Sequence, residues 1–266
     1  MTARSYLFVP GHRRRMLVKA FTLGADEVIV DLEDAVPAQD KHAARTAARE
    51  VLAEHRGWVR INAVRTAAAE ADLAAVAGLA YGIRIPKVES AQDVSWVADR
   101  VPGNTMFMCA IETACGVLAA PSIAAALGVT RLAMGGLDLR ADLQCGAAPE
   151  ALQYSRSALV VASRANGLDA PVDSVYPHVS DLAGLGAEAR LARELGFGAK
   201  SAIHPDQLEV IHQVFVPSST DISWATAVLA ALEASGGRPT SSADGEFVDP
   251  PVEARARRIL ASVRAV

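Results

Sequence analysis

Alternation is the feature that most limits what this chain can become. Eight short runs rich in β-branched and other apolar residues occur at 5–9, 27–31, 58–62, 82–86, 105–111, 131–135, 171–174 and 198–203. Alanine-rich segments of helical period lie between and after them, near 12–23, 39–54, 67–79, 90–100, 116–127, 149–166, 180–195 and 205–215. That is the pattern of repeated βα units around a parallel sheet. Eight units in about 215 residues predict a closed (β/α)8 barrel of the TIM type. The open doubly wound alternative would carry a glycine-rich phosphate loop after an early strand, and neither GxGxxG nor a Walker A motif occurs.

Several element ends are legible. Ser90-Ala-Gln-Asp93 resembles a capping box with Asp in place of Glu, Pro205 suits the first turn of the eighth helix, and Gly24, Gly167 and Gly196 stand at helix C-terminal positions. After Pro217 a helix is expected near 222–234, followed by the Gly/Pro/Ser-rich stretch 236–245 and a last helix near 251–264. The expected division is therefore a barrel at 1–216 and a C-terminal helical arm at 217–266.

Composition mainly excludes. Of the 266 residues, 51% are hydrophobic and 21% charged, a globular mixture, and the net charge of −4 opposes nucleic-acid binding. No apolar run approaches the ~20 residues of a membrane span, and the apolar stretch 6–9 runs straight into Pro10-Gly11, too short for a signal segment. The three cysteines, Cys109, Cys115 and Cys145, form no CxxC pair. A reducing, cytoplasmic setting is expected.

In a barrel of this kind, chemistry belongs at the C-terminal strand ends. Following the strands in order, those ends carry Pro10-Gly-His-Arg13, Asp31-Leu-Glu-Asp34, Arg60 and Asn62, Lys87 and Glu89, Glu112-Thr113, Gly135-Gly-Leu-Asp138, Asp173-Ser174 and His204-Pro205. Glu112 and Asp138 end consecutive strands. Each is either a helix cap or, paired, an oxygen ligand for Mg2+ with room for substrate and water. Arg60 reads as a wall salt bridge or as a guanidinium aimed at a carboxylate or oxyanion. The run His12-Arg-Arg-Arg15 is a solvated first helical turn or a phosphate contact, Lys87 and Glu89 are rim charges paired with each other or groups of the site, and His204 is a proton carrier or a backbone anchor. Neither GxSxG nor HExxH is present.

Together these residues carry a resemblance. Arg4-Ser-Tyr-Leu-Phe-Val-Pro-Gly11 followed by Gly24-Ala-Asp-Glu-Val-Ile-Val-Asp-Leu-Glu-Asp-Ala-Val36 resembles the citrate lyase β-subunit group of the HpcH/HpaI aldolase/citrate lyase family. So do Val59-Arg-Ile-Asn62, Ile85-Pro-Lys-Val-Glu89, Ile111-Glu-Thr113, Gly135-Gly-Leu-Asp-Leu139, Ile203-His-Pro205 and the tail motif Asp244-Gly-Glu-Phe-Val-Asp-Pro250. The resemblance implies a Mg2+-dependent lyase that cleaves citryl-, malyl- or citramalyl-type thioesters into an oxoacid and an acyl thioester. It implies Glu112 and Asp138 as metal ligands and Arg60 on the oxoacid. Pro10, Gly11, Arg13, Lys200 and His204 would face coenzyme A or a carrier-bound thioester. Asp249 would be the acid/base reaching a neighbouring subunit of a homo-oligomer, expected as a trimer, unless it only caps the last helix. The rival readings are a class II pyruvate aldolase acting on free hydroxy-oxoacids and a non-catalytic assembly or carrier-binding barrel.

Overall fold

A computed structural model of the chain describes residues 3–236, 238–241 and 245–263. Gly237 and residues 242–244, which include part of the Gly/Pro/Ser-rich stretch and Asp244 of the tail motif, lie outside the described residues. The chain separates into two compact units, Thr2–His212 and Gln213–Val266.

The first unit is an eight-stranded barrel with helices between the strands. In chain order it runs β1 (Ser5–Pro10), α1 (Arg14–Ala20), β2 (Glu27–Asp31), α2 (Lys41–Leu52), β3 (Trp58–Arg60), α3 (Ala67–Val76), β4 (Gly82–Ile85), α4 (Ala91–Ala98), β5 (Met106–Ile111) and α5 (Ala114–Ala124). It continues with β6 (Val129–Met134), α6 (Gly136–Asp142), α7 (Gln153–Ala165), β7 (Val172–Asp173), α8 (Leu182–Leu195), β8 (Ala199–Ala202) and α9 (Leu208–Val214). Every strand pairs in parallel with the next, and β1 closes the ring on β8 through Ser5, Tyr6 and Leu7 opposite Lys200, Ser201 and Ala202. The expected barrel is thus present, with each strand within a few residues of its sequence assignment.

Inside the ring, Tyr6, Ile29, Trp58, Met108, Ala133, Val172 and Ala199 form a buried cluster in which Tyr6 and Trp58 meet edge to face at 6.3 Å. The Trp58 ring lies over Gly82 where a Cβ would collide with it, so a small residue is required opposite a large one on the neighbouring strand. Arg131 works beside this cluster: it donates to the carbonyls of Ala170 and Ala3 and to the Tyr6 hydroxyl, tying together residues that precede or begin the strands. Outside, α2 shows the general rule, with Ala44, Ala47, Ala48, Val51 and Leu52 spaced as one buried face. Thr66, Thr113 and Asp181 cap α3, α5 and α8 by accepting from the third backbone N–H, and Gly196 ends α8 at φ 105°.

Three expectations need correction. After strand six the next helix is expected only near 149–166, yet Gly136–Asp142 is already helical. Its two leading glycines and short length give no periodic signal, and tertiary bonds hold it: Gly136 N–H donates to Ser174 Oγ, and Asp142 Oδ2 accepts from Ala114 N–H at 2.7 Å. Ser90 forms no capping box: its hydroxyl donates to Asp93 Oδ2 at 2.9 Å but accepts from no backbone N–H, and Asp93 N–H donates to the Ser90 carbonyl at 3.2 Å. The box is at Ser218 and Asp221.

The third correction concerns Lys200, expected at the thioester. Its side chain is wholly buried, with Nζ 2.5 Å from Asp173 and 2.6 Å from Glu188 on α8, while Arg156 of α7 stands 3.6 Å from Asp173. Asp173 ends the neighbouring strand β7 while Glu188 and Arg156 lie on the surrounding helices, so the ammonium belongs to the layer between barrel and helices.

The second unit consists of α10 (Ser219–Ala234), the two-stranded antiparallel pair β9 (Thr240–Ser241) and β10 (Phe247–Val248), and α11 (Pro250–Val263). It has its own small core of Ala225, Val228, Val248 and Ala256, flanked by Trp224, whose indole N–H donates to Glu246 at 2.6 Å. Among the described residues no helix is long and apolar enough to cross a membrane.

The buried cluster around Lys200 gives the first prediction. Lys200→Met would leave the Asp173 carboxylate with only the more distant Arg156, so chemical denaturation should register a loss of about 3–5 kcal/mol. A loss below about 1 kcal/mol would return Lys200 to the candidates for ligand contact.

Candidate active site

The C-terminal strand ends converge on one charged volume, which begins with the β1 turn. Gly11 N–H donates to Asp31 O at 2.8 Å, and a Cβ there would fall 2.9 Å from Leu32 Cδ2 and 3.0 Å from Asp31 O, so only glycine lets Pro10-Gly11 pack this closely on β2. Arg13 follows at the N-cap of α1 and is exposed, while Arg14 pairs with Glu50 at 2.9 Å.

Asp31 and Arg60 form the fixed part. Arg60 Nε and Nη2 donate to the two oxygens of Asp31 at 2.8 and 2.6 Å, and Asp31 also accepts from the N–H groups of Glu33 and Ala35. Such a two-pronged guanidinium–carboxylate contact fixes direction as well as distance. Arg60 is thus a wall salt bridge, one of the two things the sequence allowed, and its third nitrogen, Nη1, stands 3.0 Å from Glu33 Oε2 and 3.8 Å from Asp34. Buried carboxylates around it hold its charge more tightly than usual.

Glu33 is buried. Its Oε1 accepts from Lys87 Nζ at 3.1 Å, and its Oε2, although near Arg60, has no partner along a hydrogen-bond direction. Loss of solvent pushes its carboxyl up to about 7, against the opposing pull of Arg60, and Asp34 and Glu112 add to the rise. Lys87 pairs with Glu33 and not with Glu89. It holds a left-handed backbone at φ 48°, an unfavourable conformation for a side chain-bearing residue, and its N–H donates to Glu112 Oε2 at 3.2 Å.

Glu112 is 3% exposed, and its carboxyl occupies the space over Gly135 that any side chain there would fill. Burial raises its pKa, Arg84 opposes the rise, and the charge of Asp138 adds to it. Asp138 lies exposed in the first turn of α6 and, among the described residues, makes no hydrogen bond or ion pair. The two carboxylates thus feel one another. Among the described residues no group of three acidic, histidine or cysteine side chains forms a cage. A pair of oxygen donors with open positions suits a hard cation that retains water or substrate.

His204 follows β8 and anchors backbone: its Nδ1 accepts from Asp206 N–H at 3.3 Å at the start of a 3-10 turn. Gln207 fastens the same corner to Ile203 N–H and Tyr176 O. Asp249 belongs to the second unit, where Oδ1 accepts from Val252 N–H at 3.2 Å at the start of α11. The structure therefore gathers Arg60, Glu112 and Asp138, leaves Pro10, Gly11, Arg13 and His204 on the loops after β1 and β8, and removes Lys200.

Two residues escaped sequence reasoning. Lys41 binds Leu32 O, Glu33 O and Asn62 Oδ1 at 2.6, 2.7 and 2.8 Å and so pins the loop after β2. Only the fold assembles those partners. Arg84 is a buried arginine inside the barrel, and its signal was available, since a charge flanked by Ile83 and Ile85 in a short strand points to the opposite face from both.

Comparison with known proteins adds an independent line. The profile of the HpcH/HpaI aldolase/citrate lyase family matches residues 4–205. A (3S)-malyl-CoA thioesterase of Cereibacter sphaeroides (strain ATCC 17025 / ATH 2.4.3) is 40% identical over 273 residues, covering 99% of this chain and 95% of its own. Citrate lyase subunit beta of Escherichia coli (strain K12) is 34% identical over 281 residues, covering 97% and 92%. The crystal structure of CitE from Mycobacterium tuberculosis in complex with magnesium, acetoacetate and coenzyme A superimposes with a TM-score of 0.87 at 33% identity, covering 98% of both chains.

Glu33 supplies a test by pH. Its pKa in the folded chain, about 7, lies above the ordinary 4.5, so the folded state binds the proton more tightly than the unfolded state. The stability it contributes is full below about 4.5 and is lost as pH rises through 7. Glu33→Gln removes that dependence. Relative to the wild type, the variant should gain on the order of 2–3 kcal/mol between pH 5 and pH 8.5 in urea denaturation. A pH-independent difference would show that Glu33 stays ionised throughout.

Proposed function

The chain belongs to the HpcH/HpaI aldolase/citrate lyase family, and from that membership we propose that it is a Mg2+-dependent carbon–carbon lyase acting on a hydroxyacyl thioester of coenzyme A. Its products would be an oxoacid and an acyl-CoA. The observation that carries this reading is the buried Glu112 carboxylate, seated over Gly135, with the unpartnered Asp138 charge beside it on the next strand end. A buried carboxylate with a second, exposed one beside it is a poor arrangement alone and a good one around a cation. Glu112 and Asp138 are accordingly assigned as the Mg2+ ligands. When bound, Mg2+ supplies Lewis-acid polarisation of the oxoacid oxygens.

The chain's own groups do the rest. Cleavage requires the substrate hydroxyl to lose its proton, the oxygen lone pair to become the new carbonyl as the C–C bond breaks, and the departing thioester enolate carbon to take a proton. Arg60, held by Asp31, presents Nη1 to the oxoacid carboxylate or carbonyl oxygen and stabilises charge there. Glu33 titrates near neutrality, so its Oε2 can receive the hydroxyl proton. The turn Pro10-Gly11, the exposed Arg13 and the corner at His204 are assigned to the coenzyme A portion. Coenzyme A is preferred over a carrier protein because the Cereibacter relative is a malyl-CoA thioesterase and the CitE structure is a complex with coenzyme A.

The active form is proposed to be a homo-oligomer, a trimer, in which Asp249 of one copy serves the barrel of another and protonates the enolate. The carboxylate is held at a helix start on a unit with its own core, which supports its use as a preset group. The three cysteines, Cys109, Cys115 and Cys145, are all free, which supports a cytoplasmic location. The free-substrate aldolase reading loses support because Asp31-Leu-Glu-Asp34, with no histidine, follows β2. A non-catalytic barrel loses support because Arg60, Glu112 and Asp138 are all present at the mouth. Thioester hydrolysis remains as a second reading, favoured by the named activity of the Cereibacter relatives.

Product analysis separates the two. With Mg2+ and malyl-CoA or citryl-CoA, the expected products are acetyl-CoA plus an oxoacid, whereas free thiol released with an intact hydroxy acid would replace cleavage by hydrolysis. In calorimetry, Glu112→Ala with Asp138→Ala should abolish Mg2+ binding. Arg60→Lys should retain Mg2+ and lose about 10²–10³ in kcat. Unchanged Mg2+ affinity or turnover would reject the respective assignment.

The shared site has its own test. Inactive Asp249→Asn and inactive Glu112→Ala chains should recover activity when mixed and allowed to exchange. No recovery after demonstrated exchange would confine Asp249 to capping α11.

A further inference from the structure

Arg84 rises from the middle of β4, and 3% of its surface is exposed. In register it faces Arg60 on β3 and Met108 on β5. Its guanidinium carbon stands 5.1 Å from the centre of the Phe8 ring, and that of Arg60 stands 4.9 Å from the same ring. Two guanidinium groups therefore converge on one aromatic side chain inside the barrel.

What holds them differs. The fork of Arg60 is filled by Asp31. Among the described residues Arg84 has no carboxylate at ion-pair distance: Nη1 donates to Met108 Sδ at 3.1 Å, and Nε has no partner. A thioether is a weak acceptor, so this buried guanidinium is left with its donors largely unused. Burial pushes its pKa down to about 10, which still leaves it charged at neutral pH. A desolvated, unpaired cation is unfavourable for stability and is an arrangement suited to receiving an anion. Depth indicates which anion. Lys87 N–H reaches the Glu112 carboxylate from the strand end, whereas Arg84 lies three residues earlier on the same strand. A group that meets Arg84 must extend below the level of Glu112.

We infer that Arg84 is a specificity-determining residue that binds a second carboxylate of the oxoacid half of the substrate, the one not engaged at Glu112 and Asp138. The chain then selects oxoacids bearing a carboxylate at both ends over those that end in a methyl group. The inference rests on the lyase reading above. An oxoacid ending in methyl would leave the guanidinium unpaired in a closed site, and a charged hydrogen-bonded pair of this kind corresponds to about 10–150-fold in affinity.

The experiment is calorimetric titration of the full chain, with Mg2+ present, by oxaloacetate and by pyruvate. The wild type is expected to prefer oxaloacetate by at least about 10-fold. Arg84→Met should bring the two within about 3-fold without weakening pyruvate, and its melting temperature should equal or exceed that of the wild type, because a partnerless buried cation is replaced by an apolar chain of similar length. If the Met variant does not fold, Arg84→Lys, which loses the fork, should still reduce the preference. The inference is overturned if the wild type shows no preference, or if either folded variant keeps it in full. The lyase reading fails separately: oxaloacetate preference that depends on Arg84, with no cleavage of the thioester at its C–C bond, would leave Arg84 assigned and the reaction wrong.

Discussion

Closure of the sheet is the constraint on which the rest depends. Because β1 pairs with β2 on one side and β8 on the other, and every pairing is parallel, all eight strands deliver their C-terminal ends to one rim. Charges that follow separate strands are then neighbours, and where burial removes solvent, as at Asp31, Glu33 and Glu112, like charges repel strongly. The chain answers with strand-wise grouping of sign. Asp31, Glu33 and Asp34 follow or end β2, Arg60 and Lys87 come from β3 and the β4 end, and Glu112 and Asp138 follow β5 and β6. Each cation stands between acidic neighbours, and the raised carboxyl of Glu33 marks where compensation is incomplete.

Ion pairing is used in two ways within the same unit. Around Lys200 the ammonium contacts Asp173 and Glu188 and has no exposed surface, so the cluster can contribute only to the wall. At the mouth, Asp31 saturates one fork and thereby frees the remaining groups from any structural duty. Glu33 Oε2, Arg84 Nε and the Asp138 carboxylate are left with unused capacity. Buried polar atoms without partners are uncommon in folded chains, and Glu33 Oε2 and Arg84 Nε are two of them inside the barrel. The left-handed backbone at Lys87 belongs to the same pattern, since it allows one residue to serve Glu112 through its N–H and Glu33 through its ammonium.

Much of this was legible from residue order alone. The eight apolar runs identified the strands because residues buried on both faces must be apolar, and the intervening alanine-rich period identified helices packed on that sheet. Once the barrel was recognised, the identity of the strand-end residues located Arg60, Glu112 and Asp138. The helix at Gly136–Asp142 was not legible, since glycines at its start suppress the local signal and its stability comes from Ser174 and Ala114 across the fold. The Ser90 box was a local pattern that the backbone did not follow: Asp93 N–H donates to the Ser90 carbonyl, so the serine oxygen has no N–H to accept.

What sequence determined, then, was which residues are carried to the rim, because strand order and direction follow from periodicity and connection length. Which of those residues are already satisfied was decided only by tertiary structure. Lys200 and Arg84 show the difference, for both are basic residues in short apolar strands. One meets Asp173 and Glu188 between the barrel and its helices, and the other meets Phe8 and a sulfur atom inside the ring. Pairing at 3 Å depends on the facing direction of a strand and on partners far away in sequence, and those become fixed only when the ring closes.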